Sequence, residues 1–273
     1  MTVRDDSDAG AAAVGDGRWL LLWDIDGTLL LRASGSHATA VWDALCDVHG
    51  IEPATLRNGS GRGGAGKTDG QIAREILEAL GVPAAAIDEQ ADAVRARTCE
   101  RYRPEDLTAH VSPGIDGLLA ELHARGDVVQ SLVTGNFEPV ARRKLDAAGL
   151  GRWFDPRWGG GFGSDHEQRE RLPAIARARA GAALRPDGAP WPAERTVVIG
   201  DTPRDIACAR HDGVAVIAVA TGPHAADDLR AADAVAGDAA ELRAAVAALL
   251  DGGAPIGRDG RQTIPDDPQE TTA

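Results

Sequence analysis

Aromatic side chains are scarce in this 273-residue chain: three Phe, one Tyr and six Trp make up 4% of it. Apolar residues still reach 43%, so a sizeable core is affordable, but it has to be built mostly from aliphatic residues. Cysteine is scarce too. Cys46, Cys99 and Cys208 are widely separated and form no CxxC, a spacing that supports neither a disulfide framework nor a zinc site and suits a reduced, cytoplasmic setting. No apolar run approaches the ~20 residues of a membrane span, and the first residues lack the layout of a signal peptide. Positive charge is in deficit: the net charge of −13 argues against nucleic acid and anionic membrane as partners. Lysine is almost missing, with only Lys67 and Lys144 among 29 basic residues. Any chemistry that needs a lysine has two places to find one.

What is present is a rhythm. "WLLLWDIDGTLL" (Trp19–Leu30) is a continuous apolar run leading into acids and a Gly-Thr turn, the pattern of a strand buried on both faces. "DVVQSLVTGN" (Asp127–Asn136), "RTVVIGD" (Arg195–Asp201) and "VAVIAVATG" (Val214–Gly222) repeat the form, and "ADAVAGD" (Ala232–Asp238) is a weaker fifth. Amphipathic helical patterns lie between and around them, from Ile115, Pro139, Glu167, Pro203 and Ala239. This alternation predicts an α/β fold, a parallel sheet with helices on both faces in a Rossmann-like three-layer core. Residues 35–107 break the rhythm with three helical patterns and no strand, predicting an inserted all-α cap. The core is expected at 18–34 and 108–250, with a disordered leader at 1–17 and a Gly/Pro/Asp-rich disordered tail at 251–273.

In such sheets ligands gather beyond the carboxyl ends of the strands, where Asp24, Thr134 and Asp201 fall. Asp24 and Asp26, two residues apart, would lean to one face. A desolvated carboxylate needs a compensating cation, and Mg²⁺ is a hard ion that takes oxygen ligands. One carboxylate of the pair could attack phosphorus and the other could move the leaving-group proton. The Thr134 hydroxyl and the Gly135 and Asn136 amides are donors for phosphoryl oxygens. Asp201 is placed to hold metal, and Asp205 lies one helical turn on. Lys144 is the lysine available outside the insert to balance phosphate charge.

These segments closely resemble the haloacid dehalogenase superfamily of aspartate-nucleophile phosphatases, through "DIDGTLL", "LVTGN", Lys144 and "VVIGDTPRDI" in the family's order. The resemblance covers about residues 18 to 250, cap included. It implies that Asp24 is the nucleophile, Asp26 the general acid/base, Thr134 a phosphate ligand and Lys144 the stabiliser of the phosphorylated state. It further implies that Mg²⁺ is held by Asp24, the Asp26 carbonyl and Asp201, with Asp205 directly or through water. One departure stands out. Many relatives carry the lysine in a Lys-Pro segment before the next strand, and here that region, "GSDHEQRERLPAIA", has none. The implied activity is a phosphatase on a small phosphate ester in a monomer or homodimer. A phosphomutase shares the nucleophile and metal set. A dehalogenase of the same superfamily needs neither Asp26 nor Asp201.

A rival signal is "GRGGAGKT" (Gly61–Thr68), which fits the phosphate-cradling G-x-x-x-x-G-K-[ST] letter for letter. A P-loop must follow a buried apolar strand that aims it. What precedes here is "IEPATLRN", so the NTPase reading is disfavoured. The segment is instead expected to be a cap loop, with Arg62 and Lys67 reading an anionic leaving group.

Overall fold

The computed structural model describes residues 17–55 and 64–252. The leader and tail expectations lie outside these residues, apart from Gly17, Asp251 and Gly252, and so does Arg62. Six strands form one sheet: β1 (Trp19–Trp23), β2 (Val128–Thr134), β3 (Gly161–Phe162), β4 (Thr196–Gly200), β5 (Ala215–Val219) and β6 (Ala234–Ala236). All pairings are parallel, in the order β3-β2-β1-β4-β5-β6. The order runs outward in both directions from β1, so the switch point of the sheet lies beside it. β3 escaped the sequence reading because two residues between glycines carry no periodicity.

β1 shows why its run is continuously apolar. Trp19, Leu21 and Trp23 enter one hydrophobic cluster and Leu20 and Leu22 the other, on opposite faces of the sheet. Each fully buried leucine of that strand stabilises the fold by about 1.5–3 kcal/mol. The first cluster is completed by α4 (Ile115–His123), α5 (Glu138–Ala147) and α8 (Ala239–Asp251), and the second by α6 (Leu172–Leu184) and α7 (Pro203–Asp212). This is the expected three-layer α/β architecture. Trp23 and Trp191 are wholly buried core residues.

Over residues 35–107 the described chain carries no strand and three long helices: α1 (Gly35–His49), α2 (Asp69–Ala79) and α3 (Ala84–Arg101). They share their own apolar cluster of Val41, Ala44, Leu45, Ala73, Leu77, Ile87 and Val94. "GRGGAGKT" ends here in a helix cap: the Thr68 hydroxyl accepts from the Gln71 amide at 3.1 Å. Among the described residues before it, 51–55 carry no strand that would aim the segment as a P-loop.

One element starts late. A helix is expected from Glu167, but a 3-10 turn occupies Arg169–Arg171 and α6 starts only at Leu172. Pro173 sits in its first turn, where the missing amide costs nothing. Glu167 is meanwhile drawn onto the insert, its carbonyl accepting from the Thr68 hydroxyl at 2.6 Å.

Candidate active site

Asp24 directly follows β1, and its amide donates to the Ile199 carbonyl of β4 at 2.9 Å. The chain then turns at Gly27, whose φ of 94° favours glycine and whose missing side chain leaves room for the Asp201 carboxylate. Asp201 follows β4 and Asp205 sits in the first turn of α7. Asp24, Asp201 and Asp205 are all buried, each offering an oxygen within 4.8 Å of the others. The sequence placed Asp24 and Asp201 at strand ends and Asp205 one helical turn on, and the fold brings the three together.

The cation among them is Arg169, which the sequence reading did not name. Its buried guanidinium reaches Asp24 Oδ1 at 2.9 Å and also pairs with Asp205 Oδ1. Burial works against its charge, but Asp205 and then Asp24 raise its proton affinity well above the ordinary value. It falls in the "GSDHEQRERLPAIA" stretch where a lysine was sought and not found. The signal that could have found it was the composition: in a chain with two lysines, an arginine takes the cationic position.

Lys144 is wholly buried and sits elsewhere. Its ammonium holds Asp26 Oδ2 at 2.6 Å and Oδ1 at 2.8 Å, and Asn136 Nδ2 donates to Oδ2 at 3.0 Å. The two acids of "DIDGT" are therefore served by different cations, Asp24 by Arg169 and Asp26 by Lys144. Burial pushes the Asp26 pKa up, yet Lys144 and then His37 outweigh it and hold it below the ordinary value. Asp24 goes the other way. Burial above all, with the Asp205 and Asp26 charges adding, raises its pKa to about 6 against the pull of Arg169.

Asp201 is pushed furthest, to about 8, by burial and then by the charges of Asp24 and Asp205. Its Oδ1 accepts from the Thr28 hydroxyl at 3.3 Å, while its buried Oδ2 has no partner. An orphaned carboxylate oxygen in a dry site is costly. Three carboxylates also face one guanidinium. An oxygen-rich site two positive charges short fits a hard divalent cation such as Mg²⁺. Asp205 has little left to offer one, since Oδ2 accepts from the Thr202 amide at 2.9 Å and hydroxyl at 2.7 Å while Oδ1 meets Arg169.

Thr134 closes β2 and is buried, its hydroxyl accepting a long 3.4 Å bond from the Asn136 amide. Gly135 lies against the Lys67 carbonyl so closely that no side chain fits between them. Lys67 itself turns away from the carboxylates, its ammonium pairing with Glu75 on α2. His166 is an exposed loop residue accepting from the Gln168 amide at 2.9 Å.

A doubly wound α/β core with an acidic site at the carboxyl ends of its central strands is an enzyme architecture. The chain belongs to the haloacid dehalogenase-like hydrolases, matching that family over residues 21–210, a span that takes in every carboxylate above. It is similar to the phosphoglycolate phosphatase of Rhodospirillum rubrum, 30% identical over 206 residues that cover 74% of this chain and 79% of that one. Among solved structures it is similar in fold to a hydrolase from Pseudomonas syringae (TM-score 0.55, 22% identity, 86% of this chain and 98% of that one). CbbY from Rhodobacter sphaeroides, solved in complex with phosphate, is similar in fold as well (TM-score 0.53, 19% identity, 82% and 96%).

Proposed function

We propose that this chain, a phosphoric monoester hydrolase by family and relatives, cleaves a small phosphorylated metabolite through an aspartyl phosphate on Asp24. The observation that carries the reading is the buried Asp24 at the tip of β1, flanked by Arg169 and the half-satisfied Asp201. An Asp24 oxygen forms a bond to phosphorus as the bond to the leaving oxygen breaks, and Asp26 passes a proton to that oxygen. Water then attacks the phosphorus, Asp26 takes its proton, and inorganic phosphate leaves with the Asp24 carboxylate restored.

Thr134, the Gly135 and Asn136 amides and Arg169 are the donors for the phosphoryl oxygens. Asp26, ionised beside Lys144, is in the form that accepts a proton from water. A phosphate dianion arriving beside it raises its proton affinity, as the first half requires. Asp24, Asp201 and the Asp26 carbonyl would hold Mg²⁺, with Asp205 behind Arg169; the ion neutralises charge on the transferring group. The helical insert serves as the cap over this site. No helix among the described residues is long and apolar enough to cross a membrane.

The name of the R. rubrum relative makes 2-phosphoglycolate the first candidate substrate. Phosphate release should be measured over a panel of that ester, sugar phosphates and nucleoside monophosphates, with and without chelator. Turnover is expected on at least one, lost with chelator and lowered at least about 10³-fold in Asp24→Asn, the order found when a reacting group is removed. Activity that survives either treatment sinks the mechanism. Phosphate moved within the substrate rather than released would make it a mutase.

A further inference from the structure

Asp69 is the first residue of α2 and is buried, although it belongs to the insert and is 45 positions from Asp24 in sequence. Its bonds run to the core. Oδ2 accepts from the Phe137 amide at 2.7 Å, and the Asp69 amide donates to the Gly135 carbonyl at 2.8 Å. His37 of α1 places Nε2 3.0 Å from the same Oδ2 and packs edge-on against Tyr102, ring centroids 5.7 Å apart.

Phe137 occupies the N-cap position of α5, and its own side chain cannot cap. The first amides of a helix need acceptors from elsewhere. Ser164 Oγ supplies one for Glu138 at 2.8 Å, and Asp69 supplies the one for Phe137. A carboxylate is also the charge that the positive end of a helix favours. Asp69 therefore caps the N-terminal amide of α5 from another element, the task an acid three residues on performs in a capping box.

The segment it caps is the one that holds Asp26. Asn136 immediately precedes Phe137, Lys144 lies two turns along α5, and these two side chains are the partners of the Asp26 carboxylate. The neighbouring Thr68 grips the other side of the site through the Glu167 carbonyl, two residues before Arg169, and Arg74 adds a two-pronged pair to the Glu167 carboxylate at 2.6 and 3.0 Å.

We infer that Asp69 is a positioning residue for the reaction: seated from the insert, it caps α5 and fixes Asn136 and Lys144 against Asp26. The inference rests on the proposed function, since it takes Asp26 as the proton carrier. Misplacing a reacting group by about 1 Å costs on the order of 10²-fold in rate. Because the role is that of a hydrogen-bond acceptor, the conservative amide should rescue it.

The test uses Asp69→Ala, Asp69→Asn and Asn136→Ala, singly and combined, on the best ester of the panel. Asp69→Ala should lower kcat about 10- to 100-fold with KM changed less than about threefold, and Asp69→Asn should stay within about threefold of the parent. In the Asn136→Ala background, Asp69→Ala should cost less than about threefold more, because both changes release the same group. Amide exchange at Phe137, which needs no substrate, should quicken at least about tenfold in Asp69→Ala and hardly at all in Asp69→Asn.

Equal losses in the alanine and asparagine variants would overturn the inference, as would full additivity with Asn136→Ala or unchanged protection at Phe137. If Asp69→Ala does not fold, the asparagine variant and its exchange decide alone. A parent that releases no phosphate from any ester fails the functional reading, whereas an active parent indifferent to Asp69 fails only this inference.

Discussion

Arg169 and Lys144 divide the positive charge of the site, and the division follows from their chemistry. Arg169 meets two carboxylates from different elements, Asp24 and Asp205, through one nitrogen, Nη2, a task that suits a guanidinium because it stays charged when buried. Lys144 brings a compact ammonium to the two oxygens of one carboxylate. Removing one partner of a buried ion pair costs about 3–5 kcal/mol, because the remaining charges stay dry and unpaired. Arg169→Met should therefore lose about that much stability in urea unfolding without metal, and Arg169→Lys should recover only part of it. A methionine variant as stable as the parent would mean that Asp24 and Asp205 do not depend on this cation.

At the scale of elements, Asp24, Thr134 and Asp201 are delivered by strand ends and Asp205 by a helix start, while Lys144 lies two turns along α5. Asp205 is held by a capping box at the start of α7, in which the Thr202 hydroxyl accepts from the Asp205 amide and Asp205 Oδ2 accepts from the Thr202 amide. Loss of such a cap costs about 0.5–2 kcal/mol. Thr202→Ala is expected to fall in that range by urea titration, since Asp205 also loses the hydroxyl that orients it. A stability change near zero would remove the cap from the account. β1, β2, β4, β5, β6, α7 and α8 could be read from their local pattern, because a buried parallel strand and an amphipathic helix announce themselves locally. The late start of α6 could not, because Glu167 is recruited by residues of the insert about 95 positions away in sequence.

For the molecule as a whole, the site carries an electrostatic cost that a bound cation would relieve. The folded-state pKa values of Asp24 and Asp201, about 6 and about 8, lie above the ordinary carboxylate value of 3.8. The folded protein therefore binds these two protons more tightly than the unfolded chain does. Their contribution to stability is fully present below pH 3.8 and is lost as pH rises through about 6 and about 8. Mg²⁺ competes with the same protons, so the rise in Tm on adding it should be larger at pH 8 than at pH 5.5. Thermal melts at the two pH values, with and without Mg²⁺, check this, and Asp201→Asn should flatten the difference. A Tm increment independent of pH would place the ion away from these carboxylates.

Asp24, Asp26, Thr134, Asp201 and Asp205 were legible from sequence alone because each stands at a fixed offset from an apolar strand, and strand ends in a parallel sheet share one edge. The same local logic set aside "GRGGAGKT" as a nucleotide loop, since "IEPATLRN" before it lacks the pattern of an apolar strand. Three things awaited the tertiary structure: Arg169 on Asp24, Lys144 on Asp26, and Asp69 as the cap of α5. Their contacts span 145, 118 and 68 positions of the chain. No periodicity encodes such pairings; they arise when packing removes water from around charges, and each buried charge must then find a partner wherever the fold has brought one.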